Sequence, residues 1–483
     1  MKKMSSVRMN FIMNFILTIS NFIFPLLTFP YVSRVLQAEG IGIVNFATSI
    51  ITYFSMIGMM GIPTYGIRAC AKVRDDEKAL SKTVQEIMIL NMIVMGVSLL
   101  LLGISVFTVP QLYAEKELYL IMSSTLIFNV LGVDWLYRSL EKYTYIAIRS
   151  IIFKVISVVL MFLLVKTNTD YVIYGALTVF AAVGSNLMNF FNLRNLVHFD
   201  RLEGLNILQH LRPTLTFFML NVSTTIYINV DTTMLGFIKG STEVGYYSAA
   251  VKIKQILVSV VTSLGVVLLP RLSYYYEKGQ QEEFQRLTQK ALQFVLLVSV
   301  PLVFYFILVA RDSILFLSGE TFLPGVLALQ LIMPTVLFIG LSNLMGIQIL
   351  VPTNREHLVV VSTVVGAFVD ILLNIFLIPT FGASGAAFAG SIAELSVTIV
   401  QFYVLREFLK PLLKGLPLIK IGLAIVVSTL STVFYYSSWN FGTFPNLLLT
   451  AMMFFSSYGL ILVFLKESFT LEVLGTLFAK LKH

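Results

Sequence analysis

The chain has 483 residues, 57% of them hydrophobic and only 12% charged, with a mean hydropathy of +0.87. A soluble domain carries about 25% charged residues, so this chain cannot coat a water-facing surface and must present lipid-facing helices instead. The net charge of +9 forms no continuous basic stripe, which excludes a nucleic-acid binder, and the single Cys70 with four scattered histidines excludes a disulfide framework and a Cys/His metal centre.

At the amino terminus Lys2, Lys3 and Arg8 precede an apolar run from Met9 to Val32. That run is longer than a signal h-region of about 7–15 residues and has no small-x-small cleavage site, so it reads as a first membrane span. With about 20 apolar residues needed per helical crossing, the next spans fall near 41–65, 84–109, 118–137, 145–165 and 171–193. A long basic connection from His198 to Arg212 follows. Eight more spans lie near 214–236, 245–269, 291–310, 322–350, 358–378, 384–405, 416–436 and 445–465. The predicted fold class is an all-α integral membrane protein with about fourteen transmembrane helices.

The basic connection divides the first twelve spans into two sets of six, at 1–197 and 214–405, joined by a cytoplasmic linker at 198–213. Two additional spans and a cytoplasmic tail occupy 406–483. Each set carries one copy of a faint repeat: Leu36-Gln-Ala-Glu-Gly-Ile-Gly42 through Ala47 resembles Lys239-Gly-Ser-Thr-Glu-Val-Gly245 through Ala250. Both copies join the first span of a set to its second, so the repeat is parallel, an arrangement that transporters use around a midplane cavity. Lys and Arg alternate between connections: twenty-six share the amino-terminal side, against Arg34, Lys116, Lys166, Lys239 and Arg311 on the other. Positive charge concentrates on the cytoplasmic side, which predicts that both termini are cytoplasmic.

The connections are too short for the ordered external domain that a sugar polymerase or ligase would need. No Gly-x-x-x-x-Gly-Lys-Ser/Thr occurs, and Gly40-Ile-Gly42 lacks the third glycine of a dinucleotide fingerprint. Asp75-Asp76 sits among Arg74, Glu77 and Lys78 as a solvated charged turn, and the Asn221-Val-Ser223 sequon lies inside a span. No catalytic constellation is present, so the chain reads as a carrier and not an enzyme.

Charged groups at bilayer depth are costly and usually face a cavity or a partner. Lys154 lies about 13 Å into its span with no acid on that span, so it is expected to face a hydrated cavity and to suit an anionic head group. Arg149 is shallower and can snorkel. Asp134 and Arg138, spaced i,i+4, are expected to pair along one helix. Asp231 and Lys252 lie on consecutive spans, each about 8–10 Å from the outer end; a structural ion pair and a ligand-exchanging pair are both open. Asp370 and Asn374 share one helix face, and Glu394 on the next span falls near the midplane. These oxygens suit either a hard cation such as Na⁺ or a proton relay, and inter-helix hydrogen bonding is the plainer alternative.

The chain resembles the Wzx-type polysaccharide repeat-unit flippases, in the superfamily that also holds MATE exporters and lipid II flippases. The resemblance rests on Phe29-Pro-Tyr-Val-Ser-Arg34 through Gly42, on Asp231-Thr-Thr-Met-Leu-Gly236 with Val244 through Ile253, and on Leu377-Ile-Pro379-Thr-Phe-Gly382-Ala-Ser-Gly385 through Ala389. It implies two six-helix lobes in a V plus two carboxy-terminal helices, and alternating access around a basic cavity. The implied cargo is an undecaprenyl-diphosphate-linked oligosaccharide, moved across a bacterial cytoplasmic membrane for capsule, O-antigen or exopolysaccharide synthesis. Arg34 and Lys252 match basic positions of that pattern at the outer cavity, and Arg149 and Lys154 extend the basic set. Asp231, Asp370 and Asn374 fall where related flippases place sodium; Glu394 does not match that site cleanly. Beyond Na⁺ or H⁺ coupling no cofactor is implied. A polysaccharide polymerase and a chain-length regulator are the protein partners the resemblance suggests. Arginines deep in the first span, typical of lipid II flippases, are absent. A cation-coupled drug exporter would need an acidic cavity, and a membrane glycan polymerase would lengthen the glycan.

Overall fold

The structure is a computed structural model that describes residues 7–199, 204–438 and 441–481. Lys2, Lys3, Arg201 and Lys482, all counted above on the basic side, lie outside the described residues. Among the described residues every regular element is a helix. The surface is inverted relative to a soluble protein. On Glu356–Val404 the buried stripe is Ser362, Gly366, Asp370, Asn374 and Ile378, one residue per turn, while Phe368, Leu372 and Phe376 point outward, with Phe376 67% exposed and Asp370 1%. Lipid is as apolar as leucine, so large side chains gain nothing by turning inward. Small and hydroxylated residues let helices approach and hydrogen-bond.

By length and apolarity, ten helices among the described residues are fit to cross a membrane, or eleven if the bent pair Glu320–Ile332 and Pro334–Leu350 forms one span. The expected fourteen is therefore not reproduced by this criterion, and the reason is local. Val7–Met59 covers the first expected span and most of the second as one continuous helix, broken at Gln37 with φ 60 and ψ −174. Glu356–Val404 likewise covers two, broken at Gly382 with φ 53. The helix Leu211–Lys239 is 29 residues long but too polar to qualify, since Asn221, Thr224, Thr225, Asn229 and Asp231 interrupt its apolar residues.

The chain forms two compact units, Met1–Gly245 and Tyr246–His483. In the first, Val7–Met59 is central and packs against Glu77–Thr108, Lys116–Gly132, Tyr143–Leu164 and Leu211–Lys239. The two repeat glycines meet here. A Cβ on Gly42 would lie 1.7 Å from the Ser241 carbonyl oxygen, and one on Gly245 2.0 Å from that of Ala38. The parallel repeat is thus also a contact, in which each glycine admits the backbone of the other copy.

In the second unit Leu418–Ser438 and Thr443–Phe464 pack on one another and on Gln281–Leu308. The Tyr305 hydroxyl donates to the Leu447 carbonyl at 2.8 Å and the Tyr458 hydroxyl to the Leu297 carbonyl at 3.2 Å. The two additional spans are therefore part of this unit's core, with Phe454 and Tyr458 packed among Leu292, Leu296 and Tyr305.

Candidate functional site: a buried ammonium and its polar surroundings

The helix Tyr143–Leu164 turns Ile148, Ile152, Val155 and Val159 outward, and buries Arg149, Lys154 and Ser157 with Ile146, Ala147 and Met161. Its two cations are thus on the protein side. Lys154 is 8% exposed, and its Nζ donates to Ser20 Oγ at 2.8 Å and to Asn21 Oδ1 at 2.5 Å, both on the first helix. Among the described residues no carboxylate lies within ion-pair distance of it. An ammonium has three donors; two are met here by neutral oxygens, and among the described residues the charge has no protein countercharge. A buried charge in that condition is costly unless something anionic neutralises it.

Arg149 is different. Its Nη2 pairs with Asp134 Oδ1 at 2.5 Å, and its Nη1 donates to the Ser185 carbonyl at 2.5 Å and to Asn186 Oδ1 at 3.2 Å. Asn189 Nδ2 donates to the same Asp134 oxygen at 2.8 Å, and the guanidinium stands 5.9 Å from the Tyr145 ring. This corrects the expected Asp134–Arg138 pair. Arg138 is exposed and stays hydrated, whereas the buried guanidinium of Arg149 requires an acceptor. Val133, with φ 38, starts the short helix that carries Asp134.

The remaining expected site residues are distributed over both units. Arg34 is exposed, three residues before the break at Gln37, with Nη1 donating to the Pro30 carbonyl at 2.6 Å. Asp231 is buried on Leu211–Lys239 in the first unit, and Lys252 is half-buried on Ser241–Glu277 in the second. Asp370 and Asn374 are buried on successive turns before Gly382, and Glu394 is half-buried after it. Gln401 Nε2, on the later half of that helix, donates to Ser362 Oγ at 3.0 Å on the earlier half.

Ser20 and Asn21 were legible only as polar interruptions of an apolar span. A second cluster went unread altogether. Glu86, 1% exposed, lies within the third expected span. Its Oε1 accepts from the Asn206 backbone N–H at 2.7 Å, and its Oε2 accepts from Gln209 Nε2 at 2.7 Å and meets His210 Nε2 at 2.8 Å. With Nε2–H aimed at the carboxylate, Nδ1 is left to accept from the Tyr65 hydroxyl at 2.7 Å. Gln85 Nε2 also donates to the His198 carbonyl at 2.8 Å. Glu77–Thr108 thus grips both described ends of the basic connection. A lone acid inside a span was the available signal. Glu86→Ala strips three donors of their acceptor, and the melting temperature in detergent should fall by the equivalent of about 3 kcal/mol. Faster proteolysis near residues 204–210 should accompany the loss, and an unchanged melt would show the cluster to be dispensable.

The sequence pattern of the family described as polysaccharide biosynthesis protein matches residues 7–276, and that of MatE matches residues 217–376. A protein of Escherichia coli (strain K12), provisionally named an O-antigen transporter, is 25% identical over 418 residues, spanning 83% of this chain and 97% of its own length. Lipid II flippase MurJ of Bacillus subtilis (strain 168) is 23% identical over 159 residues, 32% of this chain and 29% of its own. The solved inward closed conformation of lipid II flippase MurJ superposes with a TM-score of 0.74 at 16% identity, over 93% of this chain and 98% of that one. An inward-facing multidrug resistance MATE family transporter superposes with a TM-score of 0.57 at 12% identity, over 80% and 96%. The fold is the one these transporters share.

Proposed function

Because the chain belongs to the polysaccharide biosynthesis protein family, we propose that it is a flippase. It carries an undecaprenyl-diphosphate-linked oligosaccharide from the cytoplasmic to the outer leaflet of a bacterial cytoplasmic membrane, with both termini cytoplasmic. The carrying observation is Lys154, a buried ammonium held by Ser20 and Asn21 with no carboxylate beside it. A diphosphate supplies the missing countercharge, and an ammonium is a suitable point charge for it. Unaided passage of sugar and diphosphate through hydrocarbon is prohibitive, because each polar group loses its water at a cost of several kcal/mol. A polar chamber replaces that water while the polyprenyl tail stays in lipid.

No bond is made or broken on this route, so the protein acts as a carrier. A polymerase, working with a chain-length regulator, would consume the delivered repeat unit on the far side. Asp370 and Asn374 supply two buried oxygen donors one turn apart, the donor chemistry a sodium ion takes. Cation coupling would provide about 2.3 kcal/mol per charge per 100 mV. Proteoliposomes holding the purified protein and a fluorescent lipid-linked oligosaccharide test the reading. Flipping should raise the fraction bleached by external dithionite, without glycan lengthening. Equal bleaching in empty liposomes would refute it, and longer glycans would mark a polymerase.

A further inference from the structure

A cleft of 470 Å³ opens in the first unit beside the basic connection, lined by Tyr65, Arg68, Lys72, Thr83, His210 and Phe217 among others. Its volume is that of a small-molecule site, about 300–1,000 Å³. Arg68 and Lys72 are exposed, i,i+4 on one face of Ile62–Lys72. Neither forms an ion pair among the described residues. Among the described residues no acid lines the cleft. The nearest carboxylate in the network behind it, Glu86, has its oxygens occupied by Asn206, Gln209 and His210. His210 is itself engaged on both ring nitrogens, by Glu86 and Tyr65, and serves as a fixed wall. Two cations without an ion pair among the described residues, sharing one cleft with Ala69, Val73, Pro213 and Phe217, describe a receptor for a compact dianion attached to something less polar.

We propose that this cleft binds the diphosphate of the lipid-linked cargo before transport, with Arg68 as a planar fork for one phosphoryl group and Lys72 as a point charge for the other. The Lys and Arg asymmetry puts it on the cytoplasmic side, where the cargo is made. The assignment rests on the flippase reading for the identity of the ligand, but it names a site distinct from Lys154. Its role is capture at the membrane surface, where a charged patch raises the encounter rate.

The test uses alkylation of a Thr83→Cys protein in phosphatidylcholine nanodiscs, where native Cys70 is fully buried and leaves a quiet background. Undecaprenyl diphosphate should slow labelling at least about fivefold, inorganic pyrophosphate should slow it at higher concentration, and phosphatidylglycerol should leave it unchanged, given that two adjacent cations favour a diphosphate over a lone phosphodiester. Arg68→Ala with Lys72→Ala should remove the protection, while Lys154→Ala should keep it. Protection by none of the probes, equal protection by phosphatidylglycerol, or protection that survives the double substitution would each overturn the proposal. Absence of protection in the Thr83→Cys protein, with flipping intact in proteoliposomes, would remove the cleft alone. Protection without flipping would remove the flippase reading and leave a diphosphate site.

Discussion

Lys154→Ala is expected to insert and fold normally yet to lower the flipping rate in proteoliposomes by at least about 100-fold. Truncating one member of a buried charge pair costs about 2–5 kcal/mol, and each 1.4 kcal/mol is a factor of ten. Folding should survive because Ser20 already donates to the Leu17 carbonyl at 2.6 Å, so the vacated side of the first helix keeps an internal partner. Lys154→Met, which keeps the volume and removes the charge, should match the alanine protein. Lys154→Arg should retain a measurable rate. In cells the same series should lose surface glycan while membrane abundance stays constant. Wild-type flipping by the methionine protein would show that the ammonium does not meet the cargo.

Gly42→Ala and Gly245→Ala are expected to be strongly damaging single-methyl changes. The added carbon would sit 1.7 Å from the Ser241 oxygen in one case and 2.0 Å from the Ala38 oxygen in the other, and both obstacles are backbone. No rotamer change relieves such a clash, so the first helix must move away from the Ser241–Gly245 turn. Overpacking of this kind costs about 1–3 kcal/mol in well-packed cores, and rigid backbone places it at or above the upper end. The melting temperature in detergent reports the cost, and it should fall in either alanine protein by several degrees. Gly96→Ala and Gly103→Ala are the controls, since a Cβ at either meets nothing within 4 Å. An unchanged melt with alanine at 42 would show that the contact tolerates a side chain.

These expectations divide by what was visible before folding. The number of charges, the apolar runs and the alternation of Lys and Arg determine by themselves that the chain is a helical membrane protein and which connections are basic. Burial in lipid is a property of each segment's own composition and needs no knowledge of its neighbours. The same locality made Lys154, Asp370 and Asn374 legible, because a polar group inside an apolar run stands out wherever that run packs. The family resemblance was legible too, through the short stretches at Phe29–Gly42 and Leu377–Ala389.

Pairings were not. Arg149 takes Asp134 although Arg138 is closer in sequence, and Lys154 reaches Asn21 across 133 positions. Glu86 was overlooked because its meaning lies in Asn206, Gln209 and His210, which the chain brings to it from more than a hundred residues away. The faint glycine repeat could be seen as an echo between two segments, but only the packed helices disclose that Gly42 and Gly245 press against one another's segments. The physical reason is common to all four. Composition decides which solvent a segment enters, whereas the partner of a buried polar group, or the space left for a Cβ, is decided by whichever distant segment arrives beside it once the helices have packed.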